Sequence, residues 1–103
     1  MFKIFAWVLS DRSGKWPKFR SEFLKRNSSC CACGTIKKLT VHHIVPVSVD
    51  PSKELDEDNC ISLCKTCHFV FGHLHSYNSW NDNVRKDCEE HLNKVRSRPC
   101  QKG

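Results

Sequence analysis

Apolar positions along the chain fall into short clusters separated by polar turns. Trp16-Pro17 opens a predicted helix, with Pro at the first position, where no backbone N–H is needed. Phe19, Phe23 and Leu24 give that helix an apolar face, and Lys18, Arg20, Lys25 and Arg26 lie mostly around the other side. It ends near Asn27-Ser28-Ser29. A cysteine-bearing turn, Cys30-Cys31-Ala32-Cys33-Gly34, leads to Leu39–Val45, whose β-branched residues predict a strand that Pro46 stops. Residues 48–58 read as a polar loop, and Asn59–Leu63 as a short second strand. Cys64 to about His75 reads as a helix weakened near its end by Gly72. From Trp80 onward Val84, Cys88, Leu92 and Val95 recur at helical spacing and predict a last amphipathic helix over 80–96. Residues 1–15 are an apolar lead-in with a polar turn, and 97–103 a frayed tail. The predicted order is helix, Cys turn, strand, strand, helix, helix, with no internal repeat.

At 103 residues the chain has room for one domain, 1–103, its core at about 16–75, and that core is thin. Small cores need a staple, and eight cysteines supply one. Disulfides would require a secretory leader. Met1–Ser10 carries an early lysine and a short apolar stretch, but Asp11-Arg12-Ser13-Gly14-Lys15 follows in place of a small-x-small cleavage site. The expectation is therefore metal-bound cysteine in a reducing, cytoplasmic compartment, with no run long enough to span a membrane. The formal net charge is +6. Four thiolates on one Zn²⁺ lower it by two and leave the chain basic, which favours a polyanionic partner.

Cys30-x-x-Cys33 and Cys64-x-x-Cys67 are two pairs of the kind that place both sulfurs on one side of a tight bend, within reach of a single tetrahedral Zn²⁺. Thirty residues separate Cys33 from Cys64, against about 15–20 in a simple zinc ribbon, so a further segment is inserted between the knuckles. Cys31 is a rival to Cys33 through a rarer bite. Cys60 and Cys88 fall among apolar positions and read as core thiols, and Cys100 as a tail thiol.

The insert reads Val41-His42-His43-Ile44-Val45-Pro46, then Asn59, then Leu63-Cys64 and Cys67-His68. Together with Cys30-Cys31-Ala32-Cys33-Gly34 this resembles the HNH endonuclease family, over about residues 30–68. The resemblance implies an α+β fold: a small ββα-metal (His-Me finger) core stapled by a four-cysteine zinc site, with flanking N- and C-terminal helices. It implies a metal-dependent DNA endonuclease that leaves 5′-phosphate and 3′-hydroxyl ends. His43 matches the general base. His42 and His68 match ligands of a catalytic divalent metal (Mg²⁺, Mn²⁺, Ni²⁺ or Zn²⁺). Asn59 would hold the loop between the strands and so keep His43 in place. The four cysteines would be structural.

Two local points bear on that implication. Neighbours on a regular strand face opposite ways, so His42 and His43 share a site only through a twist, a bulge or a position at the strand's edge. Some relatives carry a further metal-binding His one turn after the last motif His. Here that position is Gly72, and His73 misses by one residue unless the helix ends at Gly72. His75 is two turns from His68 and reads as surface. Among the basic residues, Lys37, Lys38 and Arg20 are the expected phosphate contacts, and no base-reading element stands out. The rival reading is a noncatalytic zinc module that binds nucleic acid or protein. The last helix either covers the core or docks a partner, a second copy included. Family settings run from phage-encoded packaging enzymes to restriction, mobile elements and competition.

Overall fold

The computed structural model describes residues 13–76 and 78–97. The lead-in over Met1–Ser10 and the tail with Cys100 lie outside the described residues. The fold is a small α+β unit built on one antiparallel hairpin. Helix α1 is Trp16–Arg26, β1 is Leu39–His43 and β2 is Cys60–Cys64. A single α-turn, α2, Lys65–Cys67, runs directly into a π-helical turn, His68–Gly72, and α3, Val84–Arg96, closes the chain.

α1 forms where the sequence predicts it. Pro17 stands in its first turn, basic residues Lys25 and Arg26 sit in its last turn, and Asn27 stops it with its backbone and side-chain N–H groups both on Phe23 O. β1 and β2 pair with His42 opposite Ile61 and His43 opposite Cys60. Opposed residues share a face. Thr40, His42, Ile61 and Leu63 therefore line one side of the hairpin, and Val41, His43 and Cys60 the other. Val41 and Cys60 pack against Phe23 of α1. Ile61 and Leu63 join Cys30, Ala32, Cys67, Val84 and Cys88 in a second cluster that α3 completes. The hairpin is thus a thin layer with α1 on one side and the knuckles and α3 on the other.

Four expectations are corrected at their boundaries. The first strand ends at His43, not Val45, because the N–H and C=O of Val45 are both taken by the Asn59 side chain. The second strand begins at Cys60, because Asn59 is spent in a 3₁₀ turn, Glu57–Asn59, and its side chain serves the loop. The continuous helix from Cys64 to His75 is instead a short α-turn followed by a π-turn. The last helix starts at Val84, not Trp80. Asn81 folds the preceding turn: its Oδ1 accepts from Asn83 N–H, and its Nδ2 donates to Phe71 O and to Asp87.

Candidate active site

The zinc knuckles come together as their spacing predicts. Cys30, Cys33, Cys64 and Cys67 present sulfurs that all lie within 4.8 Å of one another. Cys33 Sγ and Cys64 Sγ are 3.8 Å apart, the edge of a tetrahedron with Zn–S bonds of about 2.3 Å. Turn amides point at the sulfurs: Ala32 and Cys33 N–H at Cys30 Sγ, and Cys67 N–H at Cys64 Sγ. Burial raises the Cys30 thiol, but hydrogen bonds from the Cys64, Cys33 and Ala32 backbone outweigh it and bring the group down to about 7. Burial pushes the Cys67 and Cys33 thiols up. Four such thiols without a cation could not all ionise, and a Zn²⁺ bound there would resolve the conflict. Gly34, at φ +82°, makes the left-handed turn that closes the first knuckle, its N–H on Cys30 O. Cys31 lies beside Ser62 and is not among the four. Cys88 is a core thiol pushed up to about 12 by burial and by neighbouring Cys31 and Cys30.

A second cluster is made of histidines. His42, His68 and His73 each offer a ring nitrogen within 4.8 Å of the others, and their ring centroids form a near-equilateral triangle of 4.8, 5.1 and 5.0 Å. The hydrogen bonds around the rings decide which nitrogen carries the proton. Thr40 Oγ1 donates to Leu63 O at 2.7 Å, so its oxygen accepts from His68 Nδ1–H at 2.8 Å. His73 Nδ1–H donates to Ser79 O at 3.0 Å, since a carbonyl only accepts. In both rings Nε2 is left as the basic nitrogen. His42 Nε2 is buried and has no hydrogen-bond partner among the described residues, in a side chain only 2% exposed. A buried imidazole nitrogen facing two others is costly on its own and well matched to a divalent metal, with Thr40 and Ser79 fixing the tautomers from outside. Burial, followed by the neighbouring histidines, holds His42 down to about 3 and His68 to about 4, so both are neutral and ligand-competent.

His73 reaches the cluster through the π-turn. In an α-helix five residues overshoot one full rotation by about 140°, which would point His73 away from His68. The turn over His68–Gly72 takes in one residue more and closes with His73 N–H on His68 O at 3.2 Å. His73 then stands where the fourth residue of an α-turn would. The helix does end at Gly72, the condition under which His73 joins. Gly72 also lies flat against the His42 ring: a Cβ there would come 2.8 Å from His42 Cε1. His75 is exposed and packs its ring on Phe69, outside the cluster.

His43 occupies the other face of the same strand. No bulge brings it round; the ordinary alternation separates it from His42 at the strand's end. Its Nε2–H donates to the main-chain O of Glu54 at 2.8 Å, which makes Nδ1 the basic nitrogen of the neutral ring. Trp16 lies against it with centroids 4.9 Å apart. His43 is near enough to press on the protonation of both His42 and His68. Asn59 knits the loop below: Oδ1 accepts from Val45 N–H at 2.9 Å, Nδ2 donates to Val45 O and Lys53 O, and its own carbonyl accepts from Ile44 N–H. Lys37 and Lys38 are exposed on the turn before β1, and Arg20 is half-buried on α1. Sequence reasoning missed Thr40, Ser79 and Glu54. Thr40 carried a usable signal, two residues before His42 on the same strand face. Ser79 and Glu54 carried none.

The hairpin, the following turn and the histidine cluster are a ββα-metal arrangement beside a four-cysteine group that could hold zinc. Residues 28–69 match the family model for HNH endonuclease, so the resemblance rests on the knuckles, both strands and His68, with His73 beyond the match. No curated protein and no solved structure matches the chain. The family points to nuclease-type or metal-binding nucleic-acid function. No described helix is long and apolar enough to cross a membrane.

Proposed function

We propose that this chain is a metal-dependent DNA endonuclease, a single domain with structural Zn²⁺ on Cys30, Cys33, Cys64 and Cys67. The observation that carries the reading is the convergence of three imidazoles, one with a buried Nε2 that has no partner among the described residues, next to a fourth histidine on the neighbouring strand position. His42, His68 and His73 hold the catalytic metal. That metal, when bound, neutralises phosphate charge and stabilises the departing 3′ oxygen. His43, its Nε2–H tethered to Glu54 O, takes a proton from water at Nδ1 and so generates the nucleophile. Asn59 keeps the loop carrying the Glu54 carbonyl in register with the end of β1. Lys37, Lys38 and Arg20 contact flanking phosphates without reading sequence. The products carry 5′-phosphate and 3′-hydroxyl ends.

The test is cleavage of supercoiled plasmid by wild type and His43→Ala, with Mg²⁺, Mn²⁺, Ni²⁺, Zn²⁺ or EDTA. Cleavage by wild type, lost in EDTA and in a folded, zinc-loaded His43→Ala, is expected. Equal activity in the variant would refute the role of His43. Folded, metal-loaded wild type that binds DNA and never cuts it would favour the noncatalytic binding module.

A further inference from the structure

Glu54 takes no part in the chemistry above through its side chain, yet the residue is only 6% exposed. Both of its carboxylate oxygens accept from Ser13 N–H, at 3.2 and 3.0 Å. Ser13 O in turn accepts from Trp16 N–H at 3.0 Å, which sets the first turn of α1. Trp16 then lies on His43, 4.9 Å between centroids. From the opposite end of the same residue, the Glu54 carbonyl holds His43 Nε2–H at 2.8 Å. One residue therefore governs two separate contacts of a single imidazole: its edge through the main chain, and its aromatic neighbour through the carboxylate.

We propose that Glu54 is the positioning residue for His43, a clasp between the entry to α1 and the loop before β2 that fixes the ring's tautomer and orientation. The proposal rests on His43 being the general base. The carboxylate suits the task because a hydrogen bond from a backbone N–H to an ionised oxygen is about twice as strong as a neutral one. Among the described residues, the stretch Pro51–Glu54 is otherwise held by short-range turns, Lys53 N–H on Asp50 O and Glu54 N–H on Pro51 O, by the Asn59 bond to Lys53 O and by the His43 bond to Glu54 O. A base must be held within about 0.5 Å of its productive place, closer than such a loop provides unaided.

The experiment uses zinc-loaded wild type, Glu54→Ala and Glu54→Gln. It reads the tautomer of the His43 ring by ¹⁵N–¹H correlation, and kcat and KM separately on plasmid. In wild type His43 is expected as a single Nε2–H tautomer. In Glu54→Ala the two tautomers mix, and kcat falls about tenfold or more with KM unchanged. Glu54→Gln, which keeps an acceptor oxygen for Ser13 N–H, is expected to recover kcat to within about threefold of wild type. A wild-type tautomer and wild-type kcat in Glu54→Ala would overturn the proposal, as would Glu54→Gln no better than alanine. If Glu54→Ala fails to fold, Ser13→Pro decides: it keeps Glu54 but removes the N–H that the carboxylate holds; it is expected to mix the His43 tautomers, and a single wild-type tautomer in that variant refutes the clasp. If wild type does not cleave at all, the nuclease reading fails, while the ring spectra still decide whether Glu54 holds His43.

Discussion

Replacing Gly72 by alanine isolates the histidine cluster from everything else. The new Cβ would sit 2.8 Å from His42 Cε1, 2.9 Å from Nδ1 and 3.0 Å from Nε2. Carbon contacts are comfortable only from about 3.5 Å, so the ring must retreat by roughly 0.7 Å. It cannot swing away freely, because His42 is buried and its neighbours are packed. Metal–ligand distances tolerate about 0.2 Å, so the retreat is several times what a bound ion accepts. Stability should fall without loss of the fold: overpacking costs about 1–3 kcal/mol, and exchanging glycine for alanine in a helical turn returns up to about 1 kcal/mol, against a total of about 5–15 kcal/mol for a domain. The expected result is a variant that still melts cooperatively and keeps zinc on its cysteines. It binds Ni²⁺ or Zn²⁺ at the histidines at least tenfold more weakly, a loss of about 1.4 kcal/mol. A chelator-competition titration of protein already loaded at the cysteine site measures this directly. Gly14→Ala is the control, since nothing lies within 4 Å of its Cβ position. Unchanged affinity in Gly72→Ala would refute the claim that the His42 ring, packed on Gly72, is one of the ligands.

Three further outcomes follow from the same geometry. Cys64→Ser should lose the structural zinc and with it the cooperative melt, because structural Zn²⁺ supplies about 10–16 kcal/mol; a well-folded, zinc-free variant would contradict the staple. The histidine cluster should prefer Ni²⁺ or Zn²⁺ to Mg²⁺, since three imidazole nitrogens and no carboxylate suit borderline cations; Mg²⁺ binding as tightly as Ni²⁺ in calorimetry would count against it. In protein with metal at the cysteines only, His42 near 3 and His68 near 4 lie below an unfolded histidine at about 6.5. The unfolded chain takes up protons first, so stability falls as pH drops below about 6.5, by up to about 1.4 kcal/mol per pH unit for each ring. The fall levels off once the folded rings also protonate. Denaturant midpoints at pH 7 and pH 5.5 that coincide would show that these rings are not held neutral.

Much of this arrangement is legible because its signals are local. Pro17 and the apolar spacing of Phe19 and Phe23 mark α1, the paired cysteines mark the knuckles, and the β-branched run before Pro46 marks β1. The alternation of strand faces already implies that His42 and His43 part company, and they do. What escapes the sequence is set by contacts across the fold. Nothing in His68–Gly72 announces a π-turn; its effect, visible only in the fold, is to bring two histidines five apart to the same side as His42. Asn59 reads as a strand residue until its side chain is seen holding Val45 and Lys53. Asn81 delays α3 through Phe71 and Asp87, one of them ten residues behind it. Glu54 sits in a stretch that composition marks only as polar, and its partner Ser13 lies forty-one residues earlier.

The 3.8 Å approach of Cys33 to Cys64 has a consequence for the order in which the molecule assembles. Everything from the turn before β1 to the end of β2 lies within the loop those two sulfurs close, including His42, His43, Glu54 and Asn59. Closing a loop of about 30 residues removes roughly 3–4 kcal/mol of chain entropy from the unfolded ensemble. A zinc ion captured by the two knuckles would bring the ends of the hairpin together in advance and leave a more local search for the rest. A cation at the cysteines would then act as a folding cofactor for the histidines, and the supply of one metal would set how many chains are competent to receive the other.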